Sequence, residues 1–299
     1  MPDSLSFQID AAAALAQGAR TRQEDALAVA FPDGAERGFA VLSDGMGGHA
    51  AGDLASRIIV AEVFAELTIG QAARDGAGPD IRRLLRKAVD QANASLQAHA
   101  EARRADQGMG GTVIATILDG DGLHWISVGD SVLYLFRDNA LSRLNADHSM
   151  APQIDLMAAQ GMISVEQAQA HPQRNCLISA LTGDEIEAID CPDQPLRLRE
   201  GDVVILASDG LQFLPDPIIE AVLLRARQED SRTMAQDLLD ALARMDDPEQ
   251  DNTSIVVLRV TALRPRDRAA RGWIARSGLL RAWRRTVAPP VHLSQRGRA

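Results

Sequence analysis

The chain has 299 residues, enough for one large domain or two small ones. Hydrophobic residues make up 46% of it, but only 3% are aromatic, so Ala, Val, Ile and Leu must build the core. The net charge is −10, yet residues 264–299 carry +9 from ten arginines and one aspartate, which leaves −19 on residues 1–263. An acidic body argues against a nucleic-acid substrate, because phosphate backbones need a basic surface. It suits a protein that concentrates cations.

Membrane and export signals are not evident in the sequence. No apolar run approaches the roughly 20 residues needed to cross a bilayer. The N-terminal MPDSLSFQID lacks a basic stretch followed by an apolar one. The two cysteines, Cys176 and Cys191, are too few for a disulfide framework. We therefore expect a cytoplasmic protein.

Hydrophobic patterning predicts many short strands and two long helical pairs. The predicted strands are 6–17, 26–31, 39–42, 112–118, 123–128, 132–137, 203–207 and 253–260. The predicted helices are 52–67, 80–103, and 217–245 with a break near residue 230. Because strands come in runs and helices in pairs, the order favours antiparallel sheets with helices packed outside over alternating β–α–β units.

Two segments stand apart from this pattern. Residues 119–122, Asp-Gly-Asp-Gly, lie between two predicted strands and indicate a hairpin turn; the later ligands of a calcium loop are missing. Residues 151–181 contain two short helical stretches, 152–160 and 164–170, broken by Gly161 and Pro172. We interpret 151–181 as a surface flap, which either shapes substrate choice or only covers the end of a sheet.

Acidic residues recur where predicted strands begin or end. Ser-Asp-Gly follows a strand twice, at Asp44 and at Asp209. A single Asp-Gly after a strand usually marks only a turn, but the repetition is harder to dismiss. The other acidic residues in this context are Glu24, Asp25, Asp130 and Asp251.

These carboxylates predict a site for hard divalent cations. Clustered carboxylates repel one another and resist ionisation, and divalent cations remove that penalty. Oxygen ligands select Mg²⁺ or Mn²⁺ over zinc, and the six histidines show no zinc spacing. Two such ions about 3.5–4 Å apart can share a bridging hydroxide and bind a phosphoryl oxygen, which suits hydrolysis of phosphate esters.

Six short motifs occur in order between about residues 6 and 262. They are Arg20-x-x-Gln-Glu-Asp25, Ser43-Asp-Gly-Met-Gly-Gly-His49, Gly108-Met-Gly-Gly-Thr112, Val128-Gly-Asp-Ser131, Ser208-Asp-Gly-Leu211 and Asp251-Asn-Thr253. Together with two flap sequences, His171-Pro-Gln-Arg174 and Ala180-Leu-Thr-Gly183, they resemble the bacterial branch of the metal-dependent type 2C Ser/Thr protein phosphatases.

This resemblance implies an α+β fold, an α/β/β/α sandwich of two antiparallel sheets flanked by helical pairs. A catalytic domain is then expected at residues 1–262, with the flap at about 151–181, and the composition predicts a basic, flexible tail at 263–299. The resemblance also implies two Mn²⁺ or Mg²⁺ ions, with a third, weaker site, in a cleft at one end of the sandwich.

The implied metal ligands are the acidic residues named above. By the match, Asp44 bridges both ions, the carbonyl of Gly45 binds one of them, and Asp209 and Asp251 ligate directly. Asp130, together with Asp209, matches the third site.

The remaining matched residues have indirect or substrate-binding roles. Glu24 and Asp25 would act mostly through metal-bound water. Arg20 matches the arginine that grips the substrate phosphate, a task for which the guanidinium fork is suited.

The motifs depart from the family pattern in three places. The usual Asn-Glu-Asp begins here with Gln23, and the usual Arg after Gly-Asp-Ser is Val132. Animal relatives carry a histidine directly after the Asp-Gly, where this chain has Met46. His49 follows three residues later and is either a general acid or a loop residue, while metal-bound water is the alternative proton donor.

The function implied is hydrolysis of phosphoserine and phosphothreonine in proteins by a monomeric enzyme that counters a Ser/Thr kinase. Two alternatives are a catalytically weak module that binds phosphoproteins and a hydrolase of a small phosphorylated metabolite. The acidic set is complete, which favours the enzyme. In the tail, the basic, apolar segment 273–285 could contact an anionic membrane surface, the acidic body or a partner, or could be disordered.

Overall fold

The structure is a computed structural model that describes residues 7–32, 37–47, 50–72, 80–103 and 108–262. His49 and the tail, 263–299, lie outside these ranges. The strands are β1 (Phe7–Ala16), β2 (Asp25–Ala30), β3 (Arg37–Met46), β4 (Gly110–Gly111), β5 (Val113–Asp119), β6 (Gly122–Val128), β7 (Val132–Arg137), β8 (Ala140–Arg143), β9 (Leu196–Arg197), β10 (Val203–Ala207) and β11 (Thr253–Ala262). The α-helices are α1 (Ala50–Ala72), α2 (Ile81–Ala102), α3 (Ala151–Ala159), α4 (Val165–Gln169), α5 (Asp216–Arg225) and α6 (Ser231–Met245). A 3₁₀ helix covers Asp209–Phe213.

The strands form two sheets. One has the order β1-β11-β10-β7-β8, and the other has the order β2-β3-β5-β6-β9 with β4 paired to β3. The strand pairs for which a residue register is defined are antiparallel, which agrees with the predicted arrangement.

Three apolar layers show how the sheets and helices are stacked. In β10, Val204 and Leu206 face the layer between the two sheets, while Val203 and Ile205 face the layer under α5 and α6. A third layer packs α1 and α2 against the other sheet. Because the central strands are buried on both faces, they are apolar at nearly every position rather than at alternate ones. The predicted α/β/β/α sandwich is confirmed.

Several element boundaries differ from the predicted ones. β3 extends to Met46 because Gly45 and Met46 still pair with β4, so the predicted end at residue 42 was too early. The short strands β4, β8 and β9 were not predicted, since two to four residues carry no periodic signal. The hairpin is confirmed: Asp119 pairs with Gly122, and Gly120 takes a left-handed φ of 64°.

The flap contains α3 and α4 close to where they were predicted, and Ser164 caps α4 with a complete capping box. Arg174 ties the flap together through hydrogen bonds of 2.6 and 3.0 Å to the two carboxylate oxygens of Asp155. None of the described helices is long and apolar enough to span a bilayer. The limits of the catalytic domain and the tail stay a prediction.

Candidate metal and phosphate site

Strand ends from both sheets meet at a cleft of about 840 Å³. Asp44 lies near the end of β3, Asp209 follows β10, and Asp251 precedes β11. Antiparallel pairing brings the last two together, because the end of β10 pairs with the start of β11. The predicted site residues that line the cleft are Arg20, Glu24, Asp44, Gly45, Asp130, Asp209 and Asp251.

Asp25 is the predicted site residue that does not line the cleft. It pairs with Asp44 across β2 and β3 and is only 5% exposed. The Ser208 hydroxyl donates a 2.7 Å hydrogen bond to its Oδ2, whereas its Oδ1 is buried without a partner. Burial raises the pKa of Asp25 to about 6, and the nearby charges of Asp209 and Asp251 add to the increase.

Asp44 lies at the centre of the acidic cluster. Burial raises its pKa well above the usual value, and the charges of Asp25, then Asp209, strengthen the effect. Its backbone is held by Thr112: the Asp44 amide donates to Thr112 Oγ1 at 3.0 Å, and the Thr112 amide donates to the Asp44 carbonyl at 2.8 Å. Thr112 was quoted only as part of a motif, and its anchoring role requires the tertiary structure.

Asp130 and Asp209 show the same electrostatic pattern. Burial, followed by the charge of Asp209, raises the pKa of Asp130 to about 7. The pKa of Asp209 is raised by burial and then by Asp251, although a hydrogen bond shared with Asp44 lowers it. Asp209 Oδ1 is buried without a hydrogen-bond partner.

These properties fit hard divalent cations. Mutual repulsion and burial disfavour ionisation of the carboxylates in and beneath the cleft, and one buried oxygen each of Asp25 and Asp209 has no hydrogen-bond partner. Such oxygens are costly unless a cation or donor satisfies them. Among the residues described by the structure, no three acidic, histidine or cysteine side chains already converge on a single metal position. The carboxylates thus share the cleft, but ligation requires side-chain adjustment.

Close backbone approaches hold the strand ends together. A Cβ on Gly52, in the first turn of α1, would lie 2.3 Å from Glu24 Oε2 and 2.9 Å from the Gly45 carbonyl oxygen. A Cβ on Gly210 would lie 2.0 Å from the Asn252 carbonyl oxygen. Since real Cβ atoms do not approach so closely, a side chain at Gly210 would collide with backbone, and one at Gly52 would displace the Glu24 carboxylate. Sequence reasoning assigned no role to Gly52.

Asn252 fastens the arginine-bearing loop to the site. The residue is only 4% exposed, and its side chain makes three hydrogen bonds. Oδ1 accepts from the Glu24 amide at 2.7 Å, and Nδ2 donates to the carbonyls of Gln17 and Arg22 at 2.8 and 2.9 Å. The loop that carries Arg20 and Glu24 is thereby tied to the start of β11. The residue was present in a quoted motif without an assigned role.

Arg20 reaches the carboxylates directly. Its Nη2 lies 2.5 Å from Asp251 Oδ2, while Asp251 Oδ1 accepts from the Asn252 amide at 2.7 Å. The guanidinium is largely exposed and can therefore change partner. Arg20 thus lies in the cleft, next to a predicted metal ligand.

The flap borders the same cleft. Its residues from Asn175 to Ala180 line one wall, and the exposed side chains of Cys176 and Ile178 are among them. Backbone hydrogen bonds hold this wall in place, since Ile178 donates to the His148 carbonyl at 2.8 Å and Met150 donates to the Cys176 carbonyl at 2.9 Å. The flap is therefore positioned to contact whatever enters the cleft.

Comparison with known proteins identifies the arrangement. The family model described as protein phosphatase 2C matches residues 16–255. The serine/threonine protein phosphatase PstP of Mycobacterium tuberculosis is 34% identical over 221 residues, which cover 73% of this chain and 40% of PstP. The serine/threonine phosphatase stp of Listeria welshimeri is 33% identical over 191 residues, covering 62% of this chain and 72% of stp.

Solved structures agree with the sequence matches. The crystal structure of M. tuberculosis PstP/Ppp superposes with a TM-score of 0.69 at 31% identity, covering 85% of this chain and 99% of that one. The PstP catalytic domain in complex with two manganese ions superposes with a TM-score of 0.66 at the same identity and coverage. The chain spans 40% of the length of the full PstP protein. With its matched residues, its two-sheet sandwich and its acidic cleft, this chain belongs to the protein phosphatase 2C family.

Proposed function

We propose that this chain hydrolyses phosphoserine and phosphothreonine in proteins with the help of Mn²⁺ or Mg²⁺. The observation that carries the proposal is the single cleft in which Asp44, Asp209 and Asp251 lie beside Arg20. Carboxylates for hard cations and a guanidinium for phosphoryl oxygens are the two groups that phosphoryl transfer requires. The two manganese ions of the PstP catalytic domain support the same assignment.

Each site residue has a proposed role. Asp44, the Gly45 carbonyl, Asp209 and Asp251 would hold two ions, and Asp130 would contribute to a third. Glu24 and the buried Asp25 would act around them through water. When bound, such ions supply Lewis acidity toward the phosphoryl group and an activated water.

Two functions remain, which are binding of the phosphoryl group and protonation of the leaving group. Arg20 would leave Asp251 and bind two phosphoryl oxygens, which orients the phosphorus toward the carboxylates and stabilises charge that develops on those oxygens. No histidine lines the cleft in the described part of the chain, so we assign the leaving-group proton to water. No covalent phospho-enzyme forms in this reaction.

The flap supports a protein substrate over a small metabolite. Its described surface exposes large apolar side chains, and Ile178, which lines the cleft, is exposed as well. A metabolite that fits inside the cleft would not need such a surface. The exposed flap side chains are Leu156, Met157, Met162 and Val165. Deletion of 152–172 should reduce turnover of phosphoproteins far more than that of p-nitrophenyl phosphate.

The proposal extends to the cellular setting. We infer a monomeric, cytoplasmic enzyme that counters a Ser/Thr kinase and takes part in signalling. Two observations support a reducing compartment: Cys176 and Cys191 are both free thiols, and one is exposed. Contact of the basic tail with an anionic membrane surface stays a prediction, because the tail lies outside the described residues.

Activity assays test the enzyme against the binding-module alternative. The chain should hydrolyse a phosphothreonine peptide with Mn²⁺ and lose this activity in EDTA. Asp44→Ala and Asp209→Ala should each abolish turnover while the circular dichroism spectrum is unchanged, whereas Asp90→Asn, an exposed acid on α2, should leave turnover intact. Full activity in either cleft variant would refute the assignment. Tight phosphopeptide binding without turnover would favour the binding module.

A further inference from the structure

A second, smaller groove of about 470 Å³ adjoins the cleft. Both cavities are lined by Arg20, Asn175, Asp209 and Asp251. A phosphoryl group held at Arg20 would therefore present the rest of its peptide to the groove. Consecutive residues of an extended peptide are about 3.3–3.6 Å apart, so a residue within about three positions can reach it. The lining residues that belong to the groove alone are Ala19, Phe213, Pro248 and Glu249.

The groove combines an apolar wall with an acidic rim. Phe213 ends the 3₁₀ helix, is half-buried, and packs against the apolar layer beneath α5 and α6. Pro248 adds a second apolar surface. Glu249 is exposed, and its carboxylate has no hydrogen bond or ion pair within the described residues. The backbone amide of Glu249 donates to Asp247 Oδ1 at 2.9 Å, which steadies the loop.

This combination selects a long cationic side chain. The methylene stem of arginine or lysine can cover the ring and the proline while the charged end reaches a carboxylate. A guanidinium can also stack on an aromatic face, which an ammonium does less well. Arg20 is the cation in the groove lining, but it pairs with Asp251 at 2.5 Å in the structure and would pair with the phosphoryl group of a bound substrate. In both states Glu249 is left to attract a ligand.

We propose that this groove binds the side chain of a basic residue, arginine in preference to lysine, within about three positions of the phosphorylated residue. Glu249 and Phe213 are then specificity-determining residues. The inference rests on the proposed phosphatase function and narrows its substrates to basic phosphorylation sites. An acidic residue at the same position is disfavoured by the charge of Glu249.

Phosphothreonine peptides of otherwise constant sequence test the idea on the full-length chain with Mn²⁺. Arg, Lys, Ala or Glu is placed in turn at each of about three positions on either side of the phosphothreonine. The readout is the ratio of kcat/KM for the Arg peptide to that for the Ala peptide within each enzyme variant. Glu249→Gln removes the groove carboxylate, and Glu187→Gln removes the same charge from the cleft wall outside the groove.

The wild-type ratio should reach about three- to tenfold at one position or two neighbouring ones, the size expected of an exposed ion pair joined by a cation–π contact. It should fall to about one in Glu249→Gln and persist in Glu187→Gln. A ratio near one throughout in the wild type, an unchanged ratio in Glu249→Gln, or an equal loss in Glu187→Gln would overturn the inference. Failure of the wild type to hydrolyse even p-nitrophenyl phosphate would instead overturn the proposed function on which it rests.

Discussion

Gly52→Ala should damage the site while leaving the fold in place. The new Cβ would lie 2.3 Å from Glu24 Oε2 and 2.9 Å from the Gly45 carbonyl oxygen, whereas real contacts stay beyond 3.0 Å. The Glu24 carboxylate must therefore retreat by at least about 0.7 Å. A displacement near 1 Å at a catalytic site costs up to about 100-fold in rate, so we expect kcat/KM to fall by about 10- to 100-fold.

Stability should change much less. Overpacking costs about 1–3 kcal/mol. Replacing a helical glycine by alanine recovers about 1 kcal/mol. The net loss of about 0–2 kcal/mol should leave the protein folded at 25 °C, since domains are typically stable by about 5–15 kcal/mol. Thermal denaturation and the Mn²⁺ affinity from calorimetry complete the assay, and we expect the affinity to fall with kcat/KM.

Gly70→Ala is the matched control. It adds the same methyl group to the same helix, and its Cβ would meet Leu84 Cδ1 at 2.3 Å, in a core side chain that does not line the cleft. Its activity should stay within about twofold of wild type, since no site residue must move. Shortening the acid with Glu24→Asp should restore part of the Mn²⁺ affinity to Gly52→Ala. Wild-type kinetics in Gly52→Ala, or an equal loss in Gly70→Ala, would refute the reasoning.

Three further predictions concern Arg20, Asn252 and the acidic cluster. Arg20→Gln should tighten Mn²⁺ binding by about two- to fivefold in calorimetry, because an exposed ion pair no longer competes for Asp251. The same substitution should raise KM more than it lowers kcat. The control is Arg22→Gln, at an arginine that lines the same cleft without a described ion pair, and an equal gain in Mn²⁺ affinity there would show a general charge effect. Asn252→Ala should lower the free energy of unfolding, measured by urea denaturation, by about 2–4 kcal/mol, because three hydrogen bonds of a buried side chain are lost. A change below about 0.5 kcal/mol would contradict the anchoring role of Asn252. In EDTA, the melting temperature should fall as pH rises from 5 to 7.5. The reason is that Asp25 and Asp130, with folded pKa values of about 6 and 7, stay protonated in the folded state, whereas the unfolded chain loses those protons near pH 4. Asp130→Asn should flatten this fall, and a melting temperature that rises with pH would contradict the reasoning.

Local patterns were sufficient for most of the fold. The runs that became β7 and β10 were predicted with their observed bounds, because strands buried on both faces are apolar at nearly every position. The hairpin at residues 119–122 was predicted from its turn residues. The predictions failed for β4 and β9, which are two-residue strands formed by pairing with a neighbour rather than by any preference of their own residues.

The acidic residues of the cleft were identified from their position after or before strands, together with the family resemblance. The tertiary structure decides which of them face the cleft. Asp25 and Glu24 are adjacent in sequence, yet Glu24 lines the cleft while Asp25 lies buried beneath it with Ser208 on one oxygen. Asp25 pairs with Asp44 across β2 and β3, so the two side chains share a face of the sheet, and Asp25 differs only in being buried more deeply. That depth is set by the packing of the two sheets.

Residue types and their spacing thus indicated the fold class, the family and the acidic set, since these depend on local backbone preference and on side-chain chemistry. The positions of Gly52, Thr112 and Asn252 at the site depend on contacts between segments far apart in the chain, such as the 2.7 Å hydrogen bond from the Glu24 amide to Asn252 Oδ1. The groove at Glu249 arises in the same way, from four segments of the chain that meet only in the folded protein. Contacts of this kind leave no periodic trace in the sequence, because they are made by single residues whose partners lie up to about 230 positions away.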